Sequence, residues 1–339
     1  MVIYEAAQLG LGAADDPAMV RALQMDLRAL GYLWRGIDGA YGPGTRLAVS
    51  RLQHDLLHND GQSTSDDGNA PVAMTRYAVD VTSVTGVVDK ATAHAMAALL
   101  AEPLFQKLPR AADPAAANQA AIAAIRGAPS PVPLPFMLAI FQQESGGQHF
   151  AVPVDAADAD GYVVIGLDTN AGSDIAVTSR GYGLSQYTLF HHPPRAAEMA
   201  AYIADPQANM RAAFGLLQDK FEHYVAGPDA VADDHQAEHA GRALTRCRYE
   251  PGDARYLKDC KACAAAAGVR PITRQTPDYE GAALTYGAAT DFASQSYNAV
   301  PIRAGFACDW PYAARRYNGG GANSYTYQAM LLKAILNGI

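Results

Sequence analysis

The chain is poor in cysteine, tryptophan and basic charge. Only 4 cysteines and 2 tryptophans occur in 339 residues, which excludes the many-disulfide frameworks of small secreted scaffolds. Lysine and arginine total 26 against 34 aspartates and glutamates, a formal net charge of −8. That balance speaks against nucleic acid as a partner, because phosphate binding calls for a basic face. It also speaks against simple electrostatic adhesion to an anionic polymer or membrane. Long apolar runs are missing as well, so no membrane insertion is expected. Residues Met1 to Gly12 lack the basic start and apolar stretch of a cleaved secretory signal. What is present is bulk: 50% of the residues are hydrophobic, enough for two domains with separate cores.

The first domain is expected over residues 15–102. Apolar residues at Val20, Leu23, Leu27 and Leu30 mark one helix face, and Gly31 is placed to end it. A turn-rich loop, Ile37 to Thr45, leads to a second helix through Ala48, Val49 and Leu52 to Gln53. The polar stretch His58 to Asn69 reads as an inserted loop. The helical pattern resumes with Gly86-Val87-Val88-Asp89-Lys90-Ala91-Thr92. Leu23-Gln24, Leu30-Gly31-Tyr32, Asp38-Gly39, Gly42-Pro43-Gly44-Thr45, Ala48-Val49 and Gln53, followed by Gly86 to Thr92, resemble the three-helix peptidoglycan-binding domain of wall hydrolases. The resemblance implies peptidoglycan glycan strands as a partner. The insertion between Leu57 and Val84 departs from that family's pattern and alters the groove it implies.

Residues 103–133 are rich in alanine and proline and read as a linker, with Ala128-Pro129-Ser130-Pro131-Val132-Pro133 as a stiff connector. A second domain, 134–339, begins with Leu134-Pro135-Phe136-Met137-Leu138-Ala139-Ile140-Phe141-Gln142-Gln143-Glu144-Ser145-Gly146-Gly147. Pro135 suits a first helical turn, and the two glycines supply the stop. Glu144 thus falls in the last turn of an apolar helix, where backbone carbonyls and apolar surroundings both disfavour a carboxylate. A carboxyl kept protonated there is a candidate general acid.

Phe150 to Val154 and Tyr162 to Leu167 are β-prone, and Asp158-Ala159-Asp160-Gly161 between them has hairpin chemistry. Asp168 and Asp174 beyond it are candidate second carboxylates for work on a sugar. The Asp158/Asp160/Gly161 group lacks carboxylates at the first and last positions of a calcium loop. Arg180-Gly181-Tyr182-Gly183-Leu184-Ser185-Gln186-Tyr187 offers glycines for close backbone approach, with Tyr182 and Tyr187 as flat faces and Gln186 as a two-way amide. His191-His192 is a weak metal motif, and a metal-dependent hydrolase using it with the cysteines is the rival chemistry. The chain ends with Trp310 to Gly321 and a terminal helix from Tyr325 to Asn337.

Glu144-Ser145-Gly146-Gly147, Gly183-Leu184-Ser185-Gln186, the helix around Asn209 and Arg316-Tyr317-Asn318-Gly319-Gly320 resemble, in this order, the lysozyme-like superfamily, above all its lytic transglycosylases. The fold implied is mainly α: a three-helix bundle, then an α+β lysozyme-like domain with a small β-hairpin. The implied activity is cleavage of the β-1,4 bond between N-acetylmuramic acid and N-acetylglucosamine. Glu144 would be the acid, Gly183 and Gln186 would line the cleft, and Tyr317 and Asn318 would lie near the acid. Ser185 stands where that family has methionine, and the segment from Glu144 to Gly183 is longer, so hydrolysis and anhydro-sugar formation both stay open, hydrolysis being favoured. A non-catalytic wall-binding protein is the alternative from another class. Segments 178–183 and 187–194 are similar to wall-degrading effectors of type VI secretion. That likeness implies action in the wall of a target cell, with an immunity protein or secretion carrier as partner; a phage endolysin fits as well. No cofactor and no metal are expected. Cys247, Cys260, Cys263 and Cys308 admit a zinc site, two disulfides or buried thiols, with disulfides preferred because the expected activity lies outside the cytoplasm.

Overall fold

The computed structural model describes the chain apart from residues 1–3, 5–7, 11, 13–14, 35, 154–159, 226–244, 261–305, 307 and 320–322. Helices dominate: α1 (Pro17–Ala29), α2 (Pro43–His58), α3 (Lys90–Ala101), α4 (Pro114–Gly127), α5 (Leu134–Ser145), α6 (Pro206–Lys220), α7 (Trp310–Tyr317) and α8 (Asn323–Asn337). One three-stranded antiparallel sheet, β1 (Ile165–Thr169), β2 (Val177–Tyr182) and β3 (Tyr187–Leu189), completes the mainly α fold. No described helix is long and apolar enough to cross a membrane.

The chain forms two compact units, residues 1–123 with 148–210, and residues 124–147 with 211–339. This division differs from the expected boundaries at 102 and 133, because the sheet belongs with the N-terminal helices. Local signals place those helices. Asp16 caps α1 through the Ala18 N–H, and Asp89 caps α3 through the Thr92 N–H. Val20, Leu23, Leu27, Val49, Leu52 and Met96 fill the core between them. Long-range charge fixes the sheet. The Arg180 guanidinium on β2 donates to Asp55 of α2 at 3.0 Å, with both side chains buried. Tyr32 donates to the same carboxylate at 2.8 Å and lies beneath the Arg180 cation at 5.0 Å. Burial alone would raise the Asp55 carboxyl; neighbouring His54, the charge of Arg180 and the Tyr32 hydroxyl outweigh it, and the group is held below its ordinary range.

The expected reversal between Phe150 and Val163 is present in short form, and a second buried pair anchors its return. Asp160 sits 2.7 Å from Arg28 of α1, and its Oδ1 also accepts the Gly161 N–H. The Asp160-Gly161 step is therefore also an anchor onto α1, and a further reversal, at 170–176, joins β1 to β2. Gly161 keeps the positive φ, +118°, that its turn chemistry calls for. Phe150 and Val163 meet as an antiparallel bridge, flanked by the Ala151 N–H to the Tyr162 carbonyl and the Val164 N–H to the His149 carbonyl, each at 2.8 Å. Asp158 lies outside the described residues.

In the second unit α5, α7 and α8 pack together. Trp310 stacks at a tilt on Phe221 (4.4 Å) and donates its indole N–H to the Arg246 carbonyl at 2.7 Å. Phe136 of α5 meets Phe306 edge-on at 5.6 Å.

Candidate functional site

Glu144 occupies the last turn of α5, as its sequence context leads one to expect. Phe136 to Phe141 are buried, and Gly146 ends the helix in the left-handed region at φ 65°, its N–H reaching back to the Gln142 carbonyl at 3.1 Å. The Glu144 side chain is half-buried. Its Oε1 accepts the Tyr327 hydroxyl of α8 at 2.5 Å. Burial, then the nearby Glu144 charge and this hydrogen bond, push the Tyr327 phenol well above its ordinary range. Tyr327 is thus a permanent donor that pins one carboxyl oxygen. Tyr317, at the end of α7, is close enough to add to the Tyr327 shift. Three helices so converge on one carboxyl. Asn318 is exposed and ends α7, its N–H bonded to the Arg315 carbonyl at 3.2 Å.

Tyr327 escaped the sequence reading. It is one of several tyrosines near the C-terminus, and only its contact with α5 singles it out. A buried tyrosine on the inward face of a terminal helix, beside a helix-ending glutamate, is the signal that could have found it.

The other candidates belong to the first unit. Asp168 lies exposed on β1, its Oδ2 accepting the Ser179 hydroxyl at 2.8 Å. Asp174 lies exposed in the β1–β2 connection, where its backbone carbonyl accepts the Arg51 Nε–H at 2.9 Å. Tyr182 does not offer a face for sugar: it is fully buried in the core beside Val163, Ile165 and Leu189, and burial pushes its phenol up to about 12. The last four residues of β2, Ser179 to Tyr182, are all buried. Tyr187 is half-buried and stacks on Tyr202 at 4.2 Å, nearly parallel, so one of its faces is covered. Gln186 turns its amide onto the sheet, donating to the Gly183 carbonyl at 2.9 Å. Its Oε1 lies only 2.5 Å from where a Cβ on Gly166 would stand and 2.8 Å from one on Gly181. Those two glycines make room for the glutamine.

Gly183 is required for a different reason. Its φ is +68°, and a Cβ would fall 2.4 Å from Nδ1 of His149. This turn is held by Asn209 of α6, which is fully buried. Its amide donates to the Tyr182 and Tyr202 carbonyls at 2.9 and 2.7 Å and accepts the Ser185 N–H at 3.0 Å. Ser185 also gives its hydroxyl to Asn209 at 3.0 Å. A methionine here could not. The Gly183–Gln186 motif is therefore a structural knot around Asn209.

His191 and His192 do not form a metal pair. His191 lies between Asp67 (3.3 Å) and Glu198 (3.0 Å). His192 points the other way, edge-on to Tyr32 and Phe105, and burial first, with the Arg180 charge, pushes its imidazole far down. Among the described residues no group of three or more His, Cys, Asp or Glu side chains is arranged to hold a metal ion. Cys247, Cys260 and Cys308 line one small cavity of the second unit, and Cys263 lies outside the described residues.

Residues 16–57 match the family model of the peptidoglycan-binding domain, covering α1, the loop after it and most of α2. No curated protein and no solved structure matches the chain. The matched segment supports association with the cell wall and peptidoglycan as a partner.

Proposed function

We propose that the protein is a peptidoglycan glycosidase that cuts the β-1,4 bond between N-acetylmuramic acid and N-acetylglucosamine, with Glu144 as general acid. The observation that carries the proposal is the Glu144–Tyr327 hydrogen bond of 2.5 Å at the end of α5. A buried donor fixes the carboxyl in one orientation, which general acid catalysis needs before it needs any particular acidity. Glu144 delivers its proton to the bridging oxygen as the sugar develops oxocarbenium character. Either water or the muramyl 6-hydroxyl then completes the reaction. The peptidoglycan-binding segment keeps the insoluble polymer close, raising the local concentration of scissile bonds. On this reading the enzyme works in the wall of a target cell, reached through a secretion machine or by lysis, and a producing cell needs an inhibitor.

The test is digestion of purified sacculi by the parent and by Glu144→Gln, with the products read by mass spectrometry. Soluble muropeptides from the parent alone support the assignment, and their mass separates reducing from anhydro ends. Equal release by both proteins removes Glu144 from the mechanism. Retained sacculus binding by the variant separates the lost acid from a lost fold.

A further inference from the structure

The family match ends at Leu57, and the insertion that follows is built into the fold. Thr64 donates its N–H to the Phe190 carbonyl at 3.1 Å, and the Phe190 N–H returns to Asp67 at 2.9 Å. The Asn59 amide reaches the His192 carbonyl at 3.2 Å, and Arg195 donates to the Asp67 carbonyl at 3.2 Å. Gly61, at φ +91°, lets the loop fold against Val72, whose carbonyl would lie 3.3 Å from a Cβ. Within the first unit, the C-terminal end of α2, this insertion and strands β2 and β3 enclose a cavity of about 250 Å³. That is somewhat smaller than the roughly 300 Å³ at which drug-sized ligand sites begin, a size for one or two sugar rings.

The lining chooses among ligands. Arg180 is the one arginine or lysine among the described lining residues, and its charge is taken up by Asp55 at 3.0 Å. Asp60 on the rim is exposed and negative. An anionic ligand, such as the carboxylates of a peptide stem, meets no arginine or lysine here whose charge is not already taken up. Four histidines line it too: His191 and His192 are buried, His191 between Asp67 and Glu198, while His54 is half-buried and His58 exposed; exposed Gln62 and Thr64 complete the polar rim. Beside them Phe190 leaves 39% of its surface in solvent, although large apolar side chains are normally covered. An exposed aromatic face among neutral hydrogen-bonding groups suits the apolar face and the acetamido and hydroxyl groups of an amino sugar.

We propose that this cavity is a second glycan subsite, built by the insertion, that takes uncharged N-acetylhexosamine units. It rests on the wall-binding reading above and adds a second place where the strand is held. The test is amide chemical-shift mapping of the full-length protein with triacetylchitotriose, a β-1,4 trimer of N-acetylglucosamine, and in parallel with a free stem tripeptide. Shifts clustering at 58–64 and 177–190, with binding weakened about tenfold by Phe190→Ala and again by Gln62→Ala, support the subsite. Both residues are exposed, so neither truncation threatens the fold. Shifts only around Glu144, unchanged affinity in both variants, or binding of the tripeptide at this cavity would overturn it. Sacculus pull-down by the same samples separates the two failures: if the parent still binds sacculi, the subsite alone falls, and if it does not, the wall-binding reading falls with it.

Discussion

His149 sets an acid limit on the first unit. It is fully buried, its Nε2 2.8 Å from the Ile203 carbonyl. A carbonyl can only accept, so Nε2 carries the proton, and Nδ1 faces the Gly183 turn with no partner among the described residues. Charging the ring would bury a second N–H without an acceptor. Burial therefore pushes its pKa down to about 4, from about 6.5 in an unfolded chain. A depressed folded value means stability is whole above pH 6.5 and is lost as pH falls toward 4. At pH 5 the unfolded form gains about 2 kcal/mol from proton uptake that the folded form cannot match; at pH 7.5 it gains almost nothing. The assay is hydrogen exchange of the β2 amides, corrected for intrinsic exchange, in the parent and in His149→Gln, which keeps an N–H toward Ile203 but does not titrate. The parent should lose about 30-fold more protection than the variant between pH 7.5 and 5. Identical losses would refute the reasoning, since other acid-sensitive groups are common to both proteins.

Tyr327→Phe keeps the ring and removes the donor to Glu144; a hydrogen bond to a charged group is worth about 1.5–3 kcal/mol, so kcat on sacculi should drop about 10- to 150-fold with sacculus binding unchanged, and an unaltered kcat would deny Tyr327 any positioning role. Gly183→Ala meets the left-handed backbone and His149 together, at about 1–2 kcal/mol for the first and about 1–3 for the second; a urea midpoint equal to that of the parent would contradict the close approach. Arg28→Met leaves the buried Asp160 carboxylate without its cation and should cost about 3–5 kcal/mol in chemical denaturation, whereas Arg28→Met with Asp160→Asn should recover much of it. Chelator should leave wall clearing unchanged, and its loss would restore the metal-dependent alternative.

The helices were legible because their signals are local. Asp16, Asp89 and Gly146 act on the turns next to them, and the apolar spacing of α1 names its own buried face. The unit boundaries were not legible for the opposite reason. Arg28 and Asp160, or Asp55 and Arg180, are more than a hundred residues apart in sequence, and nothing near any of the four announces its partner. An arginine on a helix reads as a solvated face until its counter-ion is known. Once both pairs form, dry and mutually satisfied, the sheet has to stay with α1 and α2, and composition at the 103–133 linker cannot overrule them.

The site divides along the same line. The helix-end position of Glu144 is legible because that environment is local, and its sequence states it. The hydroxyl that orients that carboxyl belongs to Tyr327, which arrives from the far end of the chain. The glycine motif around Gly183 is the converse case. Its glycines, tyrosine and glutamine were read as surfaces for a ligand, yet Tyr182 is core, Gln186 covers β1 and β2, and Asn209 binds the turn from inside. Glycine permits close approach by any group, and here the group is His149. A motif of permissive residues records that something comes near; only the packing says whether it is a substrate or the protein itself. Sugar recognition in the first unit is therefore better sought where polar side chains and an aromatic ring stay uncovered, at Gln62, Thr64 and Phe190, than where the sequence concentrates its glycines.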